Sequence, residues 1–322
     1  MNSRARHELD RSPLECERDT PTARLPAARE GAVAYSYDVA MYADLKGATI
    51  EIWEHRELLE QLTRRDIKLR YKQAAMGFAW AVFMPCLIVV SGLIIRFAMA
   101  QISGQTLVQS DIANIAVKGL GWAFFVGALG FATASLVGNS NLVTKIYFPR
   151  EVLPLSSVGA QAFDSSIGLV TLIVILPFLG VRLHPSFVWV PLLLVLLVLF
   201  TTGVSLFLSC ANLFFRDVKY IVQVVLMFGI FFTPIFFEPA MLGPRGAQLA
   251  MLNPLTGILE GLRLSVVEGR NLLYPISVVV KGVPRSVWEP WELVYSGACA
   301  IVGMIGAGLM FRRLQHLFAE YV

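Results

Sequence analysis

No G-x-x-x-x-G-K-[ST] run occurs in these 322 residues, so the chain has no loop of its own to cradle nucleotide phosphates, and ATP hydrolysis by that route is excluded. H-E-x-x-H, G-x-S-x-G and any paired-carboxylate cluster in a membrane-facing position are missing too, which removes the common hydrolase and metalloprotease chemistries. The four histidines, His7, His55, His184 and His316, stand apart beside polar segments and offer neither a metal set nor a relay. The four cysteines are equally scattered, Cys16 near the start and Cys86, Cys210 and Cys299 within or beside apolar runs, without a C-x-x-C pair, and read as packing residues. Charge is scarce: 16% of residues, with a formal net charge of +4. The basic residues crowd the polar leader and the short loops rather than one basic-aromatic patch, so nucleic acid is not an expected partner. The leader also lacks an apolar core with a small-residue cleavage site, so the expectation is no cleaved secretory signal, with the first apolar run directing insertion. No internal repeat is visible, which argues against an inverted-repeat secondary transporter.

What the chain has in abundance is apolar length. Hydrophobic residues make up 56% and the mean hydropathy is +0.64. A helix needs roughly 20 mainly apolar residues to cross ~30 Å of hydrocarbon. Six stretches approach or meet that length, at about 77–100, 119–138, 152–180, 187–211, 221–237 and 293–311, the fifth being short. The expected fold class is therefore all-α, an integral membrane protein of six transmembrane helices with both termini in the cytoplasm. Orientation follows from loop charge: Lys145 and Arg150, Arg216 and Lys219, and Arg312 and Arg313 fall on one side, while the alternate short loops hold only Lys118 and Arg182.

Three regions precede or interrupt the spans. Residues 1–45 are rich in Arg, Glu, Pro and Ala with little apolar periodicity, and are expected to form a flexible cytoplasmic tail. In 46–76, Leu58, Leu59 and Leu62 share one helical face while Glu57, Gln61, Arg64, Arg65 and Lys68 lie elsewhere, the pattern of an amphipathic interface helix before the six-span transmembrane region 77–322. Residues 238–292 hold apolar runs too short to span and broken by Pro and Gly, as short re-entrant external helices between spans five and six would be.

Within the spans, two charges are exceptional. Arg96 lies near the outer end of the first and is placed to snorkel, and Asp164 lies deep in the third, facing protein or water. Small residues recur, Gly121, Gly127, Gly130, Ala134 and Gly138, then Gly303 and Ala307 four apart, and permit close helix approach. The aromatics Phe231, Phe232, Phe236 and Phe237 either line a path for sugar rings or form an interfacial belt.

Four separated segments, RRDIKLRYKQAAMGFAWAVFMP at 64–85, NLVTKIYFPREVLPLSS at 141–157, NLFFRDVKYIVQ at 212–223 and LNPLTGILEGLR at 252–263, together resemble the permeases of type-2 ABC exporters. The resemblance covers about 50–322 and is greatest to the branch that exports O-antigen, teichoic acid and related lipid-linked glycans. It implies a half-transporter in the cytoplasmic (inner) membrane that pairs with a second copy of itself and with two ATP-binding cassette subunits. ATP and Mg would sit on those subunits and no cofactor on this chain. The resemblance also assigns roles. The helix at about 53–70, with Leu58, Leu59, Leu62, Arg64, Arg65 and Asp66, lies along the membrane surface against the ATPase. The loop at about 139–151, with Lys145, Tyr147, Phe148, Pro149, Arg150 and Glu151, forms the coupling segment. Residues 238–267 correspond to external re-entrant helices. The expected function is outward movement of a lipid-linked polysaccharide or teichoic-acid-like polymer; the alternative is a type-2 exporter of a drug, lipid or other small hydrophobic molecule, against which the 141–157 segment argues.

Overall fold

The computed structural model describes residues 47, 50–72, 77, 79–103, 109–145, 148–280 and 283–318. The leader expected at 1–45 and Tyr147 lie outside them. The main elements of the described chain are ten α-helices and a two-stranded hairpin: α1 Arg56–Tyr71, α2 Ala79–Ser103, α3 Gln109–Gly138, α4 Ser140–Lys145, α5 Val152–Ile175, α6 Trp189–Phe214, α7 Val218–Phe232, α8 Gly243–Met251, α9 Pro254–Val266, β1 Ile276–Val280, β2 Val283–Trp288 and α10 Pro290–Leu314. Among the described residues five segments are long and apolar enough to cross a membrane: Ala79–Ile102, Gln109–Gly138, Val152–Leu179, Pro185–Phe214 and Pro290–Leu314.

Burial shows how these helices are arranged. α3 is covered along most of its length and touches α2, α5, α6, α7 and α9, so it forms the centre of the bundle. α2 and α7 leave most of their side chains uncovered, as lipid-facing helices do; α7 buries only Val222 and Leu226. Two apolar clusters divide the interior. One, around Leu62, Leu136, Val152, Leu213 and Phe311, marks the end here called basal. The other, with Ala113, Leu176, Leu193, Ile258 and Trp288, fills the rest up to the distal end.

Two helix pairs approach closely for a local reason. A methyl on Gly203 of α6 would stand 2.9 Å from the Met304 backbone of α10, so only hydrogen fits there. The second is α1 on α5: the Thr63 side chain packs over Gly159, and Ser156 Oγ donates to Asp66 Oδ2 at 3.0 Å. Helix starts are signalled in the sequence. Asn253 Oδ1 accepts from Leu255 N at 3.1 Å with Pro254 opening α9, and Glu289 and Glu292 form a capping box around Pro290 of α10.

Three expectations about spans and segments are revised. The second span starts at Gln109, ten residues before the expected 119, because Asp111 and Lys118 look like loop residues by charge yet are buried against partners. The fifth helix ends at Phe232 rather than 237; its 15 residues rise about 22 Å, less than the hydrocarbon thickness. The external segment contains α8 and α9 as short helices, but also the antiparallel pair β1–β2, so the described chain is not purely α-helical.

Candidate functional site

The basal end gathers most of the residues that the sequence singled out. Leu62 is buried in the basal cluster, and Leu58 and Leu59 pack half-buried against it, so the apolar face of α1 lies on the bundle. Arg65 Nη2 bonds Asp66 Oδ1 at 2.9 Å and Asn139 Oδ1 at 3.0 Å, tying α1 to the end of α3. Arg64 is exposed and pairs with exposed Glu60, one turn earlier.

The loop that follows α4 is held from within the chain. Lys145 ends α4. Phe148 is half-buried against the basal cluster, Pro149 is buried, and the Pro149 carbonyl accepts from Val152 N at 3.1 Å. The Arg150 guanidinium donates to the Gln315 carbonyl and, at 3.4 Å, to the Val143 carbonyl, and sits 5.9 Å from the Phe318 ring centroid. Glu151 is 4% exposed and accepts from Arg312 Nε at 3.1 Å, while Arg312 Nη2 reaches Glu51 at 2.8 Å. Burial pushes the Glu151 carboxyl above its ordinary value, with Arg312 pulling the other way. Arg150 and Glu151 thus fasten the loop's end to the last turn of α10 and the residue that follows it.

A second ionic tie runs from α1 into the spanning helices. Arg70 Nη1 bonds Asp164 Oδ2 at 2.6 Å and Gln161 Oε1 at 2.8 Å, and its guanidinium carbon lies 3.8 Å from the Phe131 ring centroid. The Tyr71 hydroxyl donates to Asp164 Oδ1 at 2.7 Å. Asp164 therefore faces protein, in keeping with the sequence reading, but its partners were not foreseen. A carboxylate twelve residues into a span demands a cation, and Arg70, at the end of the amphipathic helix, was the signal available.

The distal end holds a buried charge network that sequence reasoning missed. Lys118 of α3 is 2% exposed; its ammonium donates to the Pro234 carbonyl at 2.7 Å and the Phe237 carbonyl at 2.8 Å, and lies 3.6 Å from Glu260 of α9. Arg263 grips Glu260 Oε1 through Nε at 2.9 Å and Nη2 at 2.7 Å, and reaches Glu268 at 2.6 Å. Arg96 pairs with Asp111 at 2.8 Å rather than standing alone at the interface. The four aromatics are divided: Phe231 and Phe236 meet at 6.4 Å between ring centroids, Phe236 is buried, Phe237 is half-buried, and Phe232 is exposed. Among the described residues no group of three or more His, Cys, Asp and Glu is placed to hold a metal ion.

Residues 57–267 match the sequence profile of the ABC-2 type transporter family. An O-antigen export system permease protein RfbA of Klebsiella pneumoniae is 28% identical over 243 residues, covering 72% of this chain and 91% of the relative. Another of the same name and species is 30% identical over 220 residues, 66% of this chain and 81% of the relative. The RfbA permease of Myxococcus xanthus is 26% identical over 253 residues, 74% and 94% respectively.

Proposed function

Because the chain belongs to the ABC-2 type transporter family, we propose that it is the permease subunit of an exporter that moves a lipid-linked polysaccharide of the O-antigen kind outward across the inner membrane. The observation that carries this is similarity over almost the full length of permeases named for O-antigen export, rather than over one motif. In this reading two copies pair around a path. α7, short as it is, serves as the sixth span, and the wide uncovered faces of α2 and α7 meet lipid and the second copy.

The basal end is the cytoplasmic one, which fits the basic residues Arg150, Arg216, Lys219, Arg312 and Arg313 near it and puts both termini inside. Two separate ATP-binding subunits, carrying ATP and Mg, press there on α1 and on residues 145–151. Their displacement passes through the Glu151–Arg312 and Arg70–Asp164 ties into α10 and α5. A two-state bundle biased from its cytoplasmic face is what coupling requires. At the distal end α8 and α9 act as re-entrant helices, α9 being held by Lys118 through Glu260, and the Phe231–Phe236 pair lines the exit. A teichoic-acid-like polymer has the same lipid-linked chemistry and fits the same path.

The test is depletion of the chain in its own cell. A lipid-linked glycan should accumulate on the cytoplasmic side while surface glycan falls. Unchanged surface glycan, with a small hydrophobic compound retained instead, would favour the drug- or lipid-exporter alternative.

A further inference from the structure

α5 and α6 both pack on α3, and between them lies a cleft of about 300 Å³ walled by four helices. Its back is formed by Val117 and Phe124 of α3 with Leu262 and Val266 of α9, all buried. Its mouth is formed by Ile173 of α5 and Val198 of α6, 58% and 41% exposed. The cleft therefore opens sideways, between two membrane-spanning segments. Among the described residues Ser165 and Ser166 are the only polar side chains on its wall, and Ser166 turns its hydroxyl back onto the Phe163 carbonyl at 2.6 Å. Water would find too few partners there, and a charged or hydrogen-bonding ligand would lose its hydration for nothing.

The depth of the cleft is set by α5. The span Val152–Leu179 has 28 residues, and Ser165 and Ser166 stand at its middle. Leu176, which with Phe187 lines the other end of the cleft, is ten residues beyond Ser166, about 15 Å at the helical rise. That is half of the ~30 Å hydrocarbon layer, so the cleft runs the depth of one leaflet, the distal one, and stops at the midplane. Lipid at the protein boundary meets outward side chains such as Val170 and Val195, each 62% exposed, and does not reach α3 or α9. A chain inside the cleft meets both. Left empty, the cleft would deprive its walls of packing partners, and at this depth the surroundings supply hydrocarbon chains to fill it.

We propose that this cleft binds one acyl chain of a phospholipid of the distal leaflet, with the methyl end of the chain at Ser165 and Ser166 and its carboxyl end beside Leu176 and Phe187. The chain completes the apolar core between α5, α6 and α9. Leu262 is the neighbour of Arg263 in the distal charge network, so the occupant braces α9 from one side while Lys118 holds it through Glu260 from another. The assignment rests on these segments crossing a bilayer, and neither on the direction of transport nor on which molecule is exported.

The test is photolabelling of the full-length chain in phosphatidylcholine vesicles. These contain a phosphatidylcholine with a diazirine at either the methyl end or the carboxyl end of one acyl chain, and adducts are mapped by peptide mass spectrometry. Val170 and Val195 should be labelled in any case, because they report boundary lipid. The methyl-end probe should in addition label Phe124, and the carboxyl-end probe Val266. Leu194→Trp, which fills the cleft from α6, should abolish both of these adducts and leave Val170 and Val195 labelled. The depth pattern is read on the parent chain, so it decides the matter even if the tryptophan variant fails to fold. Boundary labelling without Phe124 or Val266, the two probes in reversed order, or back-wall adducts that persist in a folded Leu194→Trp would each overturn the proposal. So would labelling of Phe124 and Val266 by a diazirine-bearing polyprenyl phosphate and not by the phosphatidylcholine, since the cleft would then take the anchor of an exported glycan.

Discussion

Arg312 holds two carboxylates at once, Glu151 and Glu51, and the cost of losing it is not symmetric with the cost of losing either partner. Arg312→Gln leaves Glu151 buried beside no cation and should lower stability by about 3 kcal/mol, seen as a lower unfolding midpoint in detergent. Glu151→Gln leaves Arg312 with Glu51 and should cost much less; equal losses would mean that the triad is not read correctly. The pH sign follows from burial. The Glu151 carboxyl is raised, so the folded chain keeps this proton at a higher pH than the unfolded chain. Its contribution to folding is therefore present below the unfolded value and is lost as pH rises through the raised one. The uncharged Glu151→Gln should accordingly flatten that part of the midpoint's pH dependence. At Gly203 a methyl would meet α10 backbone, which cannot yield as a side chain can. Gly203→Ala should cost about 1–3 kcal/mol of overpacking, whereas Gly303→Ala, with nothing within 4 Å of the added carbon, should be silent by the same midpoint measurement. Composition pointed to Gly303 and Ala307, yet the constraint falls on Gly203. A small-residue spacing marks a face that permits approach, and only the partner helix determines which glycine is used.

At the scale of elements, Lys118 shows why some boundaries are legible and others are not. Long apolar runs place α2, α5, α6 and α10 to within a few residues, because about 20 uninterrupted apolar residues leave few other readings. The start of α3 is hidden by Asp111 and Lys118. An isolated lysine at membrane depth costs ~2.5–3.5 kcal/mol, and the two carbonyls and Glu260 that offset it lie more than a hundred residues away. The hairpin had a local signal in the β-branched ISVVV run, but the pull of the helical pattern around it was stronger. The ties Arg150–Gln315 and Arg312–Glu151 were likewise unreadable, since sequence shows charges in a loop and not whether they face outward or inward. Lys118 also fastens the turn after α7 to the bundle centre, which gives an element-scale prediction. In a background lacking the native cysteines, Lys118→Met should raise the rate at which Phe237→Cys reacts with a water-soluble maleimide severalfold, while Lys118→Arg should change it little. An unaltered rate in Lys118→Met would show that the turn is held by packing alone.

For the molecule as a whole, the described residues form a bundle pinned at both ends by buried charge: Glu151–Arg312 and Asp164–Arg70 toward the base, Glu260 with Lys118 and Arg263 toward the distal end. Losing Arg312 or Arg70 strands a carboxylate, whereas Glu260 keeps one cation when either Lys118 or Arg263 is lost, so each end is held by ionic ties between helices. That is the mechanical property a permease needs if hydrolysis on one face is to rearrange the other. A chain of the ABC-2 type transporter family is a transport subunit and not itself the ATPase. The most direct test is transfer of a labelled lipid-linked glycan across proteoliposomes that hold the chain together with its co-purified ATP-binding subunit. Transfer should require the chain, the subunit and hydrolysable ATP, and the chain by itself should hydrolyse none. Transfer that proceeds without ATP, on an ion gradient alone, would contradict the account.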